Sequence, residues 1–259
     1  MTHLIDTHHT TATLSPEGIA TLTLQNAKSL NILGSAAILE LTVALDELRA
    51  RGDVRVLIVR GSGDKAFIGG ADIHEMSTLT PPLAQAFITR LKNLCEAVRS
   101  FPAPTIARLS GWTLGGGLEV ALACDLRISS SHARYGMPEV AVGIPSVIHA
   151  VLLPRLIGSS RATWMLMTGE TIDAATALQW GLVQELWEPP ALDQRIHALA
   201  GRLAGFGPAA LRQQKALLRS WESLAPDEAI EATIPAFARA FATGEPQHYM
   251  ELFKQRRRA

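Results

Sequence analysis

The chain has 259 residues, with 24 Lys and Arg balancing 24 Asp and Glu for a formal net charge of +0. That balance excludes a basic footprint for nucleic acid or for an anionic membrane surface. With 47% hydrophobic and 19% charged residues, the chain reads as globular and long enough to bury a sizeable core, not as disordered.

The N-terminal stretch MTHLIDTHHTTATL lacks a basic region followed by an apolar run, so no signal peptide is expected. No run of about 18 apolar residues occurs, so neither a transmembrane helix nor a membrane partner is expected. Thr10–Leu14 and Ile19–Leu24 read as strands joined by the turn Ser15-Pro-Glu-Gly18. Ile38, Leu41, Leu45 and Leu48 recur at helical spacing within 35–51. Residues 53–60 (DVRVLIVR) form a buried strand ending at Gly61-Ser-Gly63. Residues 82–100 form a second helix, with Leu83, Phe87, Leu91, Leu94 and Val98 on one stripe. A short strand over 104–109 leads to a glycine run, a short helix, the strand Leu126–Ser130 and the segment 135–145. From Ser159 onward the pattern is helical, broken at Gly169, Gly181, Pro189-Pro190, Gly207-Pro208 and Pro226. The expected organisation is an α/β core over residues 1–205 and a helical C-terminal region over 206–259.

Cys95 and Cys124 lie in apolar surroundings without metal-ligand spacing. Reduced core thiols and a cytoplasmic compartment are expected, and no metal site, His8-His9 included. Arg256, Arg257 and Arg258 read as a solvated tail, or else as a contact for a partner or a phosphate.

Two glycine-bearing turns precede helix starts: FIGGADIHEM at 67–76 and GWTLGGGLEVALACD at 111–125. Glycine admits a ligand close to the backbone, and free N–H groups at a helix start favour developing negative charge. Two such N–H groups from separate loops would make an oxyanion hole. From spacing alone, both are equally ordinary tight turns. Neither is a phosphate loop or a dinucleotide fingerprint. Glu119 follows the second turn in an otherwise apolar run, where an unpaired buried carboxylate costs roughly 3 kcal/mol or more. Glu139, in YGMPEVAVG, is a second carboxylate among apolar neighbours. Facing one cavity, the two would hold a water and move protons. Alone, Glu139 is also a common helix-first-turn glutamate after Pro138.

Taken together, FIGGADIHEM, GWTLGGGLEVALACD and YGMPEVAVGIP closely resemble the crotonase, or enoyl-CoA hydratase/isomerase, superfamily. The resemblance runs from Ile19–Leu24 through TGETIDA at 168–174 and WGLV at 180–183. It implies a crotonase-like spiral of ββα units with a helical C-terminal trimerisation region, assembled as a homotrimer or homohexamer. It places the oxyanion-hole N–H groups on Ala71 and Gly116, and the hydratase glutamates on Glu119 and Glu139. It places CoA contacts on Gly69, Ala71 and Ile73, with Lys28 a further candidate that is otherwise a solvated turn lysine. The implied activity is water addition to a 2-enoyl-CoA, with no cofactor beyond the CoA of the substrate. Asp72 and Asp125 read as structural. His74 stands where many relatives carry lysine.

The sequence departs from relatives after Glu139. Their glycine-rich stretch is replaced by Ser146, Val147, Ile148 and His149. This segment is expected to shape the acyl pocket, with His149 a packed loop residue or, alternatively, a polar group for the substrate. The departure keeps double-bond isomerisation or hydrolysis open as the alternative reaction, with a non-catalytic acyl-CoA binder third. Ile230, Ile234, Phe237 and Phe241 share a helical stretch and suit either a subunit interface or an intramolecular core.

Overall fold

A three-strand antiparallel meander opens the fold: β1 (Thr2–Asp6), β2 (Thr10–Leu14) and β3 (Ile19–Leu24). The expected turn between β2 and β3 closes with Gly18 at φ +81° and its N–H donating to the Ser15 carbonyl at 3.0 Å. Helix α1 (Ser35–Ala50) crosses over to β4 (Val56–Gly61), which pairs parallel to β3. β5 (Ala66–Ile68), α2 (Ile73–Met76) and α3 (Pro81–Arg99) precede β6 (Thr105–Leu109). β7 (Trp112–Leu114) and α4 (Gly116–Ala123) then lead to β8 (Leu126–Ser130) and β9 (Arg134–Gly136). Two short 3-10 turns, Pro138–Val142 and Ile148–Leu152, are followed by α5 (Leu153–Ile157), α6 (Ser159–Thr168), β10 (Ile172–Asp173), α7 (Ala174–Gln179) and β11 (Glu185–Trp187). The chain ends in α8 (Pro189–Ala204), α9 (Pro208–Ser220), α10 (Pro226–Phe241) and α11 (Glu245–Arg256). This computed structural model describes residues 1–256. Of the C-terminal basic run, Arg257 and Arg258 lie outside the described residues.

The strands form two sheets. Seven run in the order β1-β2-β3-β4-β6-β8-β11, and four in the order β10-β9-β7-β5. In the larger sheet every pairing from β3 onward is parallel. Strands covered on both faces read as continuous apolar runs, and VLIV of β4 is such a run. Its Leu57 and Val59 join the main core, whereas Val56 and Ile58 pack with Ile106, Ile128, Leu192 and Ile196 in a smaller core beneath α8. That split is the two-residue alternation of a strand.

Helices α1 and α3 bury the predicted stripes, with one exception. Leu83, in the first turn of α3, is exposed, and the buried face begins at Phe87. The C-terminal helices bury much less. α9 is fastened through Lys215, whose Nζ donates to Asp125 Oδ2 at 2.7 Å and to the Ala103 carbonyl at 3.2 Å. Ile230, Ile234 and Phe237 of α10 are 61%, 63% and 70% exposed, so they are not an intramolecular core. The expected division at 205/206 falls in the short turn between α8 and α9. Cys95 and Cys124 are free and buried. No helix among the described residues is long and apolar enough to cross a membrane.

Candidate active site

Parallel pairing of β5 with β7 brings the two glycine turns together, because both strands run into their turns at the same end of the small sheet. Gly117 allows this closeness. A Cβ there would stand 2.2 Å from the Ile68 carbonyl oxygen, so α4 can begin against the end of β5 only with glycine. In the first turn, the Leu33 N–H donates to the Gly70 carbonyl at 2.9 Å and the Asp72 N–H to the Leu33 carbonyl at 3.0 Å. These bonds bracket Ala71, whose own N–H has no acceptor among the described residues. Gly115 is fixed by its N–H on the Gly136 carbonyl at 3.0 Å. The next N–H, Gly116 at the start of α4, also has no acceptor among the described residues, as the first donors of a helix must find partners outside it.

Both turns line a cavity of about 290 Å³. Gly69, Ala71, Ile73, Gly116, Glu119 and Glu139 all face it, with an apolar wall that includes Phe87 and Leu91 of α3. Glu119 stands one turn into α4 and is 3% exposed. Burial pushes its carboxyl up to about 8; the Ala150 N–H on Oε1 at 3.0 Å opposes that rise, and the nearby Glu139 charge adds to it. Glu139 sits in the first 3-10 turn, just after Pro138. Burial raises its carboxyl too, against its own backbone N–H and the Ser146 hydroxyl, which donates to Oε2 at 2.9 Å. Two carboxyls raised by burial, one of them also by its neighbour's charge, can hold one proton near neutral pH and pass another to or from a water.

The segment after Glu139 supplies both of those donors. Its backbone turns at Ile148, which takes φ +40°. For a β-branched residue that is a strained conformation. Immediately beyond it, the second 3-10 turn aims the Ala150 N–H at Glu119. His149 is buried beneath this turn, its Nε2 3.0 Å from Glu96 Oε1, and it does not line the cavity. It is the packed loop histidine expected, not a group facing the substrate.

Asp72 is structural. It caps α2 by accepting from the His74 and Glu75 N–H groups at 3.0 and 3.4 Å, and Lys28 Nζ lies 2.6 Å from its Oδ2. Lys28 therefore reaches the first glycine turn from outside and does not line the cavity. Asp125 accepts from the Thr105 N–H at 2.7 Å and from Lys215, a structural role as read from the sequence. No group of three His, Cys, Asp or Glu that could hold a metal occurs among the described residues. Sequence reasoning did not find the Ser146 and Ala150 donors. A hydroxyl within a loop of apolar residues was the only available signal for the first, and a backbone N–H carries none.

The fold and the paired turns define a recognisable class. The chain belongs to the enoyl-CoA hydratase/isomerase family, whose model matches residues 15–259. It is 34% identical to a crotonyl-CoA hydratase of Syntrophomonas wolfei, over 94% of each chain. It is 32% identical to a short-chain-enoyl-CoA hydratase of Clostridium acetobutylicum, over 95% of each. An enoyl-CoA hydratase structure from Bacillus anthracis superposes with a TM-score of 0.92 at 28% identity, covering 96% of each chain. The DspI structure from Pseudomonas aeruginosa gives 0.92 at 30% identity, covering 98% of this chain and 96% of that one. The α/β fold is thus the crotonase fold expected from the motifs, with its helical C-terminal region present.

Proposed function

We propose that this enzyme is a hydratase of 2-enoyl-CoA thioesters, working through Glu119 and Glu139. The observation that carries the reading is the single cavity faced by the buried Glu119 carboxyl, the half-buried Glu139 carboxyl and two N–H groups without acceptors among the described residues. The Ala71 and Gly116 N–H groups would hold the thioester oxygen, where negative charge develops as water attacks. Water oxygen bonds to C3 and loses a proton to one carboxylate. The C2–C3 π electrons move toward the thioester, and C2 takes a proton from the other carboxyl. The product is a 3-hydroxyacyl-CoA. The pair is coupled, so its two apparent pKa values belong to both residues together.

Gly69, Ala71 and Ile73 line the cavity beside the first turn and would carry the CoA moiety, with Lys28 at its outer edge. No cofactor beyond that CoA is required by this chemistry. The unpartnered apolar face of α10 supports a homotrimer or homohexamer, and the free buried thiols support a cytoplasmic setting. Isomerisation is the second reading, kept open by the altered segment Ser146, Val147, Ile148 and His149 that follows Glu139.

Loss of the conjugated-thioester absorbance of crotonyl-CoA and of longer 2-enoyl-CoAs tests the reading. Wild type should consume at least one of them. Glu119→Gln and Glu139→Gln should each lower kcat by roughly 100-fold or more while still binding acyl-CoA. No consumption of any 2-enoyl-CoA, together with conversion of a 3-enoyl-CoA, would replace hydration by isomerisation.

A further inference from the structure

We infer that Ser146 is a positioning residue that presents one oxygen of Glu139, Oε1, to the reacting substrate. The inference rests on the hydratase reading of the site and deepens it. Three observations carry it. The Ser146 hydroxyl donates to Oε2 at 2.9 Å, which occupies that oxygen from the loop side. The other oxygen, Oε1, lies against Gly115, so closely that a Cβ on that residue would approach it to 2.5 Å. Gly115 immediately precedes the unpartnered Gly116 N–H, so Oε1 is held beside the place where the thioester oxygen is proposed to bind.

The two glutamates are thereby made unlike. Glu119 is held on Oε1 by a backbone N–H, that of Ala150. Glu139 is held by its own backbone N–H and by the Ser146 side chain, and substitution can remove the second. A hydroxyl donating to a carboxylate favours its charged form, so Ser146 opposes the effect of burial on Glu139.

The test compares wild type with Ser146→Ala and Ser146→Thr, all as full-length protein. Steady-state rates on a consumed 2-enoyl-CoA are measured across pH 5 to pH 10. In parallel, the Glu139 carboxyl is titrated by carbon-13 NMR, its resonance assigned with Glu139→Gln. Ser146→Ala should lower kcat roughly 10-fold with KM little changed. It should also move the Glu139 titration and the matching limb of the pH profile to higher pH. Ser146→Thr keeps a hydroxyl and should restore both. An unchanged NMR midpoint and pH profile in Ser146→Ala would overturn the inference. So would a loss confined to KM, which would make Ser146 only part of the pocket wall. Failure of wild type to hydrate any enoyl-CoA overturns the hydratase reading instead, and the carbon-13 titration then decides the role of Ser146 alone.

Discussion

Replacing Glu119 with glutamine should stabilise the protein at alkaline pH while inactivating it. Burial holds the Glu119 carboxyl at about 8 in the folded chain, against an ordinary value of 4.5. Between those two values the folded state keeps a proton that the unfolded state releases. Stability therefore falls as pH rises through this window. A difference of this size corresponds to about 1.4 kcal/mol for each pH unit, and to something on the order of 4 to 5 kcal/mol once the folded carboxyl ionises. At 3% exposure there is little solvent to screen it. Glutamine keeps an acceptor for the Ala150 N–H, as Oε1 of Glu119 does, and carries no charge at any pH. Urea unfolding of both proteins at pH 5, 7 and 9 should show a stability gap near zero at the acid end, widening in favour of Glu119→Gln toward pH 9. A gap that stays constant across that range, or that widens in favour of wild type, would refute the argument. The carboxylate would then be compensated in the fold by something other than a bound proton.

Two further outcomes follow from the same packing. Gly115→Ala places a Cβ at φ +51° and 2.5 Å from Glu139 Oε1. It should cost about 1 to 3 kcal/mol in backbone strain and lower kcat more than 10-fold, read from unfolding and turnover on the same preparation. Lys215→Met removes the buried cation that joins α9 to Asp125 and should cost about 3 kcal/mol in urea unfolding, with the double variant Lys215→Met, Asp125→Asn recovering part of it. Activity of the folded fraction should be retained, because among the described residues the cavity is lined by those between Gly69 and Val147.

The sequence was legible wherever a periodic pattern coincided with a buried face. β2, β3 and β8 begin and end at the residues the pattern marks, and α1 buries the four residues spaced for it. The small sheet was not legible. β5, β7, β9 and β10 are two or three residues long and too short to show any period, yet they set the two glycine turns side by side. β1 was also missed, since its pairing with β2 is irregular and its residues are mostly exposed. Within the site, Gly69, Ala71, Ile73, Gly116, Glu119 and Glu139 face the cavity and were named from the motifs, whereas its apolar wall was not. Lys28, a candidate for the CoA moiety, lies outside the cavity and is paired with Asp72. A lysine in a turn can be claimed by whichever carboxylate the fold brings near, and spacing in the chain does not reveal which. The left-handed backbone of Ile148 ran against its residue type, so nothing in the sequence signalled a reversal there.

The bond from the Ala150 N–H to Glu119 gives the site an internal reporter of its own charge. That amide is buried, and its acceptor is the carboxyl whose proton is at issue. Its proton chemical shift and its rate of exchange with deuterium will follow the charge on Glu119. The titration of the carboxyl pair can then be followed at a single backbone position in the resting protein, with no substrate present.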